Sequence, residues 1–228
     1  MPTVARVAFL THSPDDPPGL LGRRSAELGL DVAVHRADRL GDPLPRPDSF
    51  DLLVVMGSAA STLDSSVPWI GRERRLVAAA VDAGTPVLGV CFGGQLLAQV
   101  LGAPVERAPR TEVGWHRVDT VDPARVPPGP WMMWHEDRFG IPTGAVEVAR
   151  TEVCVQAYIL GPHTGVQFHP EVDAGIVGRW VDEARADGTL DRVGGDAVLA
   201  GFDAAGRGPD DQTRTLFDGF VTRSGLLP

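Results

Sequence analysis

Lysine is absent from the 228 residues, and every one of the 21 basic Lys/Arg positions is arginine. Against 30 acidic residues this leaves a formal charge of −9 with no basic cluster. Nucleic acid is therefore disfavoured as a partner, because its binding rests on neutralised phosphates. The all-arginine usage, beside abundant Ala, Gly, Pro and Val, reads as coding bias from a GC-rich genome. No apolar run approaches the 20 or so residues of a membrane helix, so no membrane partner is expected. The start, MPTVARVAFLTHSPDD, has too short an apolar stretch and too early an acidic pair for a secretory signal, which places the protein in the cytoplasm. Only two cysteines occur, Cys91 and Cys154. One stands at a sharp turn and the other in the strand-like Val153-Cys154-Val155, so free thiols in a reducing compartment fit better than a disulfide. Gly-rich phosphate loops are missing too.

What is present is a regular alternation. Hydrophobic residues make up 43% of the chain, enough for one good α/β core at this length. Short apolar strands over 4–10, 31–35 and 51–56 are each followed by a break. Residues 69–83 form an amphipathic helix closed by Gly84. Strands alternating with helices predict one mostly parallel, doubly wound, flavodoxin-like sheet. From Val105 to Phe168 short strands and turns suggest antiparallel additions to its edge, and 172–186 returns to helical spacing. Residues 193–205 and 213–222 are helical as well, so 1–188 reads as the domain and 189–228 as a helical extension packed on it.

Chemistry concentrates at two places. Val87-Leu88-Gly89-Val90-Cys91-Phe92-Gly93-Gly94-Gln95 is a buried strand broken at a cysteine, with glycines two positions away on either side. This is a nucleophile elbow carrying sulfur, and the helix expected over 94–101 aims its N-terminal amides at the thiol, favouring the thiolate. Downstream, Gly165-Val166-Gln167-Phe168-His169-Pro170-Glu171 ends a second strand in a histidine and a glutamate. Pro170 pushes His169 toward extended backbone and suits the first turn of a helix beginning near Glu171. Cys91, His169 and Glu171 are the parts of a thiol acyl-transfer triad. Cys154, in an alternating strand, reads as core packing. His12, His35, His116 and His163 read as loop or surface residues, and no histidine shows a metal-ligand spacing, so no metal is expected.

The CFGGQ stretch at Cys91 and the FHPE stretch at Phe168 resemble the two signatures of the class I, triad-type glutamine amidotransferases. Met56-Gly57-Ser58 and Trp134-His135-Glu136-Asp137 fall in the places of that family's oxyanion and substrate loops. The resemblance runs from about Val4 to about Val181, nearest to stand-alone members and to the glutaminase domain of GMP synthase. It implies an oxyanion hole from the Gly57 and Phe92 amides, and substrate contacts from Gln95, Trp134, His135, Glu136 and Asp137. It also implies cleavage of a γ-carboxamide of glutamine, or of a γ-glutamyl small molecule, without cofactor. The ammonia passes to a separate synthetase or ligase, since too little chain follows Glu171 for a nucleotide-binding module. Relatives carry Gly-Gly-Pro at the first loop and Ser-His-Gly-Asp at the second, so Trp134 and Glu136 reshape the pocket, pointing alternatively to a γ-glutamyl hydrolase for a larger compound. A non-catalytic regulatory subunit and a DJ-1-like stress protein are the rivals. The intact triad residues argue against the first, and Gln95 with the HPE segment against the second.

Overall fold

The computed structural model describes residues 4–226. Its central strands are apolar on both sides. In β1 (Arg6–Thr11), β3 (Leu52–Val55) and β4 (Val87–Val90), the residues Val7, Phe9, Leu52, Val54, Leu88 and Val90 enter one core. Ala8, Leu10, Leu53, Val55 and Val87 enter another. Successive side chains of a strand point to opposite faces, so runs apolar at every position must be covered on both. Helices α1 (Gly19–Glu27) and α6 (Gly208–Arg223) cover the first face through Leu21, Leu216, Phe217 and Phe220. The second is covered by α2 (Pro68–Asp82) and α3 (Phe92–Val100) through Ile70, Val77, Leu96 and Leu97.

The sheet has eight strands in the order β2-β1-β3-β4-β10-β9-β8-β6, with β2 at Asp31–Arg36 and β10 at His163–Val166. The first five are mutually parallel. Then β9 (Val155–Leu160), β8 (Val146–Arg150) and β6 (Asp119–Thr120) add antiparallel. Consecutive crossovers leave β1 in opposite directions, which opens a crevice beyond the carboxyl ends of the central strands.

Three expectations need correction. Only part of 105–168 joins the sheet edge. The 12-residue β5 (Val105–His116) and 9-residue β7 (Trp131–Phe139) form a separate antiparallel ribbon. Its underside packs on α4 (Ala174–Ala186) and α5 (Arg192–Ala205), with Met132, Ile176, Val181 and Val198 sharing a small core. The helix after the histidine starts at Ala174, not near Glu171, because Asp173 Oδ1 accepts the Gly175 and Ile176 amides at 3.0 and 3.1 Å. An Asp cap outcompetes the Pro170 signal. The elbow helix starts at Phe92, two residues before the expected 94, and Gly102 follows it at φ +84°, as a helix-ending glycine does.

Candidate active site

Three adjacent parallel strands end at one place. The carboxyl end of β3 leads into Met56-Gly57, that of β4 into Cys91, and that of β10 into Gln167 and His169. Cys91 takes φ +50° and ψ −108°, the one positive φ at a non-glycine among the described residues. Such strain is held in place by close packing. A Cβ on Gly89 would strike the backbone of Gly93 and Gly94, and a Cβ on Gly93 would overlap the Val55 carbonyl. The glycines let strand and helix approach closely enough to impose the turn. The Cys91 amide donates to the Val166 carbonyl at 2.8 Å, tying the elbow to β10.

His169 Nδ1 stands 2.8 Å from Glu171 Oε1, both side chains almost wholly buried. Its Nε2 has no hydrogen-bond partner among the described residues. Burial pulls the imidazole down, but the Glu171 carboxylate and Cys91 outweigh it and hold the pKa well above 6.5. The backbone around this pair is clamped from three sides. His169 N donates to the Met132 carbonyl at 2.9 Å, Leu20 N to the Glu171 carbonyl at 2.8 Å, and Thr213 Oγ1 of α6 to the Pro170 carbonyl at 2.5 Å.

Gly57 faces the pair directly: a Cβ there would lie 2.9 Å from His169 Cε1 and 3.8 Å from Cys91 Cβ. His12, expected as a surface or loop residue, is buried at the end of β1 and holds this glycine. Its Nδ1 is 2.7 Å from the Gly57 carbonyl and its Nε2 3.0 Å from Glu73 of α2. Both ring nitrogens face acceptors, which calls for the imidazolium. Desolvation opposes the charge, yet Glu73 and the Gly57 carbonyl raise the pKa of His12 above 6.5. Since the Gly57–Ser58 peptide is trans, its carbonyl turned to His12 leaves the Ser58 N–H on the opposite side. Sequence reading missed His12 and Glu73 because 61 residues separate them. His163, also expected near the surface, is buried in β10.

Gly57, Cys91, His169 and Glu171 line a cavity of about 390 Å³, within the range of small-molecule sites. All ten sequence-predicted site residues reach it: Cys91, His169, Glu171, Gly57, Phe92, Gln95, Trp134, His135, Glu136 and Asp137. Strand alternation divides the last four. The Trp134 carbonyl lies 3.8 Å from Cys91 Sγ, while its indole packs edge-on against Trp180 of α4. Trp180 in turn stands edge-on to His169 at 4.8 Å. Glu136 is exposed at the rim, paired with Arg107. Asp137 is buried and accepts from Ser61 Oγ at 2.5 Å. The His135 ring turns inward, its Nδ1 3.1 Å from the Asp137 carbonyl and its Nε2 3.2 Å from Glu112 Oε2. Gln95, buried, donates to the Asp137 carbonyl at 3.1 Å and to Gln167 Oε1 at 3.4 Å. Gln167 Nε2 reaches Cys91 Sγ at 3.6 Å. Trp180 and Gln167 had no separate signal in the sequence. Two further tryptophans pack on neighbouring rings, Trp131 stacked on Phe168 at 4.4 Å and Trp115 against Phe202.

Fold and site together define a flavodoxin-like α/β protein whose crevice opens on a cysteine elbow. Residues 19–179 match the family model of glutamine amidotransferase class-I, and the chain belongs to that family of enzymes. It is 36% identical over 173 residues to the glutamine-hydrolyzing GMP synthase of Aeropyrum pernix, covering 71% of this chain and 32% of that protein. The chain thus spans about a third of the length of the GMP synthases it matches. Among solved structures, a glutamine amido transferase from Methylobacillus flagellatus superimposes with a TM-score of 0.86 at 29% identity, covering 97% of this chain and 96% of that one. A glutamine amidotransferase from Thermotoga maritima gives 0.85 at 26% identity, covering 96% and 99%. Among the described residues no helix is long and apolar enough to cross a membrane.

Proposed function

We propose that this chain cleaves the γ-carboxamide of glutamine, or of a γ-glutamyl amide, through a thioester on Cys91. The observation that carries the reading is the His169–Glu171 contact of 2.8 Å, with the remaining His169 nitrogen unpartnered in the cavity that Cys91 enters. The Cys91 thiolate attacks the γ-carbonyl carbon, and the carbonyl electron pair moves to oxygen. The Gly57 and Phe92 amides, joined by the Ser58 N–H that His12 orients, stabilise that oxyanion. Collapse breaks the C–N bond, and His169 Nε2 gives its proton to the departing nitrogen as ammonia. Water then adds to the thioester with His169 taking its proton, releasing glutamate and restoring the thiolate. Glu171 keeps Nδ1 protonated and the ring oriented throughout. Asp137 and Glu136 supply negative charge for the substrate's α-ammonium, with Gln95 holding the wall. The ammonia goes to a synthetase or ligase that consumes it, and the cleavage itself uses no cofactor.

A second reading, a γ-glutamyl hydrolase for a larger donor, is favoured by the Trp134–Trp180 pair, an aromatic wall beside the site. The purified chain is assayed against glutamine and a panel of γ-glutamyl amides and peptides, with glutamate as readout and hydroxylamine present to trap the acyl group. We expect slow turnover of free glutamine, faster turnover of a bulkier donor, and γ-glutamyl hydroxamate from wild type but not from Cys91→Ala. Fast turnover of free glutamine with no other donor preferred removes the second reading. Hydrolysis that survives Cys91→Ala removes both.

A further inference from the structure

Glu112, His135 and Cys154 come from β5, β7 and the turn before β9, and all three are buried. A carboxylate oxygen, a ring nitrogen and a sulfur from them lie within 4.8 Å of one another. Hydrogen bonding alone explains this cluster poorly. Glu112 Oε2 is crowded by Gln156 Nε2 at 2.7 Å, His135 Nε2 at 3.2 Å and Cys154 Sγ at 3.7 Å. Yet among the described residues His135 Nε2 makes no properly directed hydrogen bond, although its side chain is only 1% exposed, and Gln156 Oε1 is buried without a partner.

We propose that Glu112, His135 and Cys154 hold a divalent cation of the zinc class. Tetrahedral bonds of about 2.0–2.3 Å space neighbouring N and O ligands roughly 3.3 Å apart, and S and O ligands roughly 3.6 Å apart. The observed 3.2 and 3.7 Å fit those spacings. Donating Nδ1–H to the Asp137 carbonyl leaves His135 Nε2 as the lone pair, which is how a metal-binding imidazole is usually oriented. Turning the Gln156 amide by half a revolution puts its orphaned Oε1 where Nε2 now stands, 2.7 Å from Glu112 and 3.3 Å from Cys154, and a retreat from Glu112 of about half an ångström makes it a fourth ligand. A thiolate, a carboxylate and two neutral groups carry charge −2, which a divalent ion neutralises. That balance suits a buried site. One sulfur and one imidazole select a borderline ion such as Zn²⁺ over Mg²⁺ or Ca²⁺.

Binding displaces the Cys154 proton to solvent and bonds sulfur to metal. Because a thiolate and not a thiol binds the ion, affinity rises with pH. Entry is through the active-site cavity, which His135 also lines. The ion would pin β5 and the turn before β9 to β7, next to the Trp134 carbonyl that faces Cys91.

The test uses the full chain carrying Cys91→Ala, so that Cys154 is its one thiol, titrated anaerobically with Co²⁺ under a phosphine reductant. We expect one equivalent bound, tetrahedral visible bands and a thiolate-to-cobalt charge-transfer band, all bleached by Zn²⁺, with a higher Tm in Zn²⁺. Adding Cys154→Ser, a near-isosteric change, should remove the charge-transfer band and weaken binding at least tenfold, with the circular dichroism spectrum as the check on folding. No stoichiometric Co²⁺ in the Cys91→Ala chain, or a charge-transfer band that persists after Cys154→Ser, overturns the proposal and leaves a hydrogen-bond network.

Discussion

Two clusters in this molecule contain the same three residue types, a cysteine, a histidine and a glutamate, all buried, and they are wired differently. In the first, Glu171 holds His169 Nδ1 and the other nitrogen is left toward the cavity and Cys91. In the second, Glu112 sits between the partners, facing His135 Nε2 on one side and Cys154 on the other. A carboxylate at the end of the chain orients the imidazole and keeps a proton on it, which suits proton transfer. A carboxylate in the middle draws nitrogen and sulfur toward one point, which suits a shared ligand. Backbone divides them as well. Cys91 is strained at φ +50° against a helix N-terminus, whereas Cys154 lies in a turn where burial and Glu112 hold its proton. Connectivity, more than composition, separates an arrangement suited to proton transfer from one suited to a shared ligand.

The sharpest way to break this contrast is to exchange the roles of the thiols. Cys91→Ala should lower γ-glutamyl hydrolysis on the order of 10⁴-fold or more with Tm nearly unchanged, because little volume is removed. A glutamine-derived chloroketone should leave one adduct by mass spectrometry, on Cys91, in wild type and in Cys154→Ala alike. Labelling of Cys154 with Cys91 untouched would reverse the assignment.

The carboxylates offer a finer comparison. Loss of His169 in His169→Ala should nearly match loss of Cys91, and Glu171→Gln should be roughly tenfold to a hundredfold milder, since Glu171 transfers no proton. Glu171 holds the imidazole's pKa up, so its removal lowers that pKa, and the falling alkaline limb of kcat/KM should move to lower pH. Glu112→Gln should leave that limb in place. An equal displacement by Glu112→Gln would mean that the two clusters are electrically one.

The pair behind the oxyanion loop bears on stability and lies furthest from the contrast between the two clusters. Glu73→Gln strands a buried His12 and should lower stability by about 3–5 kcal/mol in urea unfolding. The folded pKa of His12 is raised above 6.5, so its stabilisation is fully present below that value and is lost as pH rises through the folded pKa. The gap between wild type and Glu73→Gln should therefore narrow toward alkaline pH. A gap constant from about pH 6 to 9 would show that the pair is uncharged.

Short-range pattern in the chain is enough to specify several of these features. Apolar strands alternating with helices specify the parallel sheet, because every position of Leu52–Val55 and Val87–Val90 must be buried on one face or the other. Gly89 and Gly93 around Cys91 mark the elbow, because other residues cannot bring that strand and helix so close. His169 and Glu171 lie two residues apart, within reach of a local reading. Tertiary structure decided the rest. His12 meets Glu73 because β1 and α2 converge on the loop after β3, and Trp180 meets His169 because Asp173 sets where α4 begins. The length of β5 and β7 hid the ribbon, whose turn inward sends His135 to Glu112 and Cys154. No spacing rule encodes such meetings, since they depend on which strands become neighbours, and that is settled by burial over the whole chain.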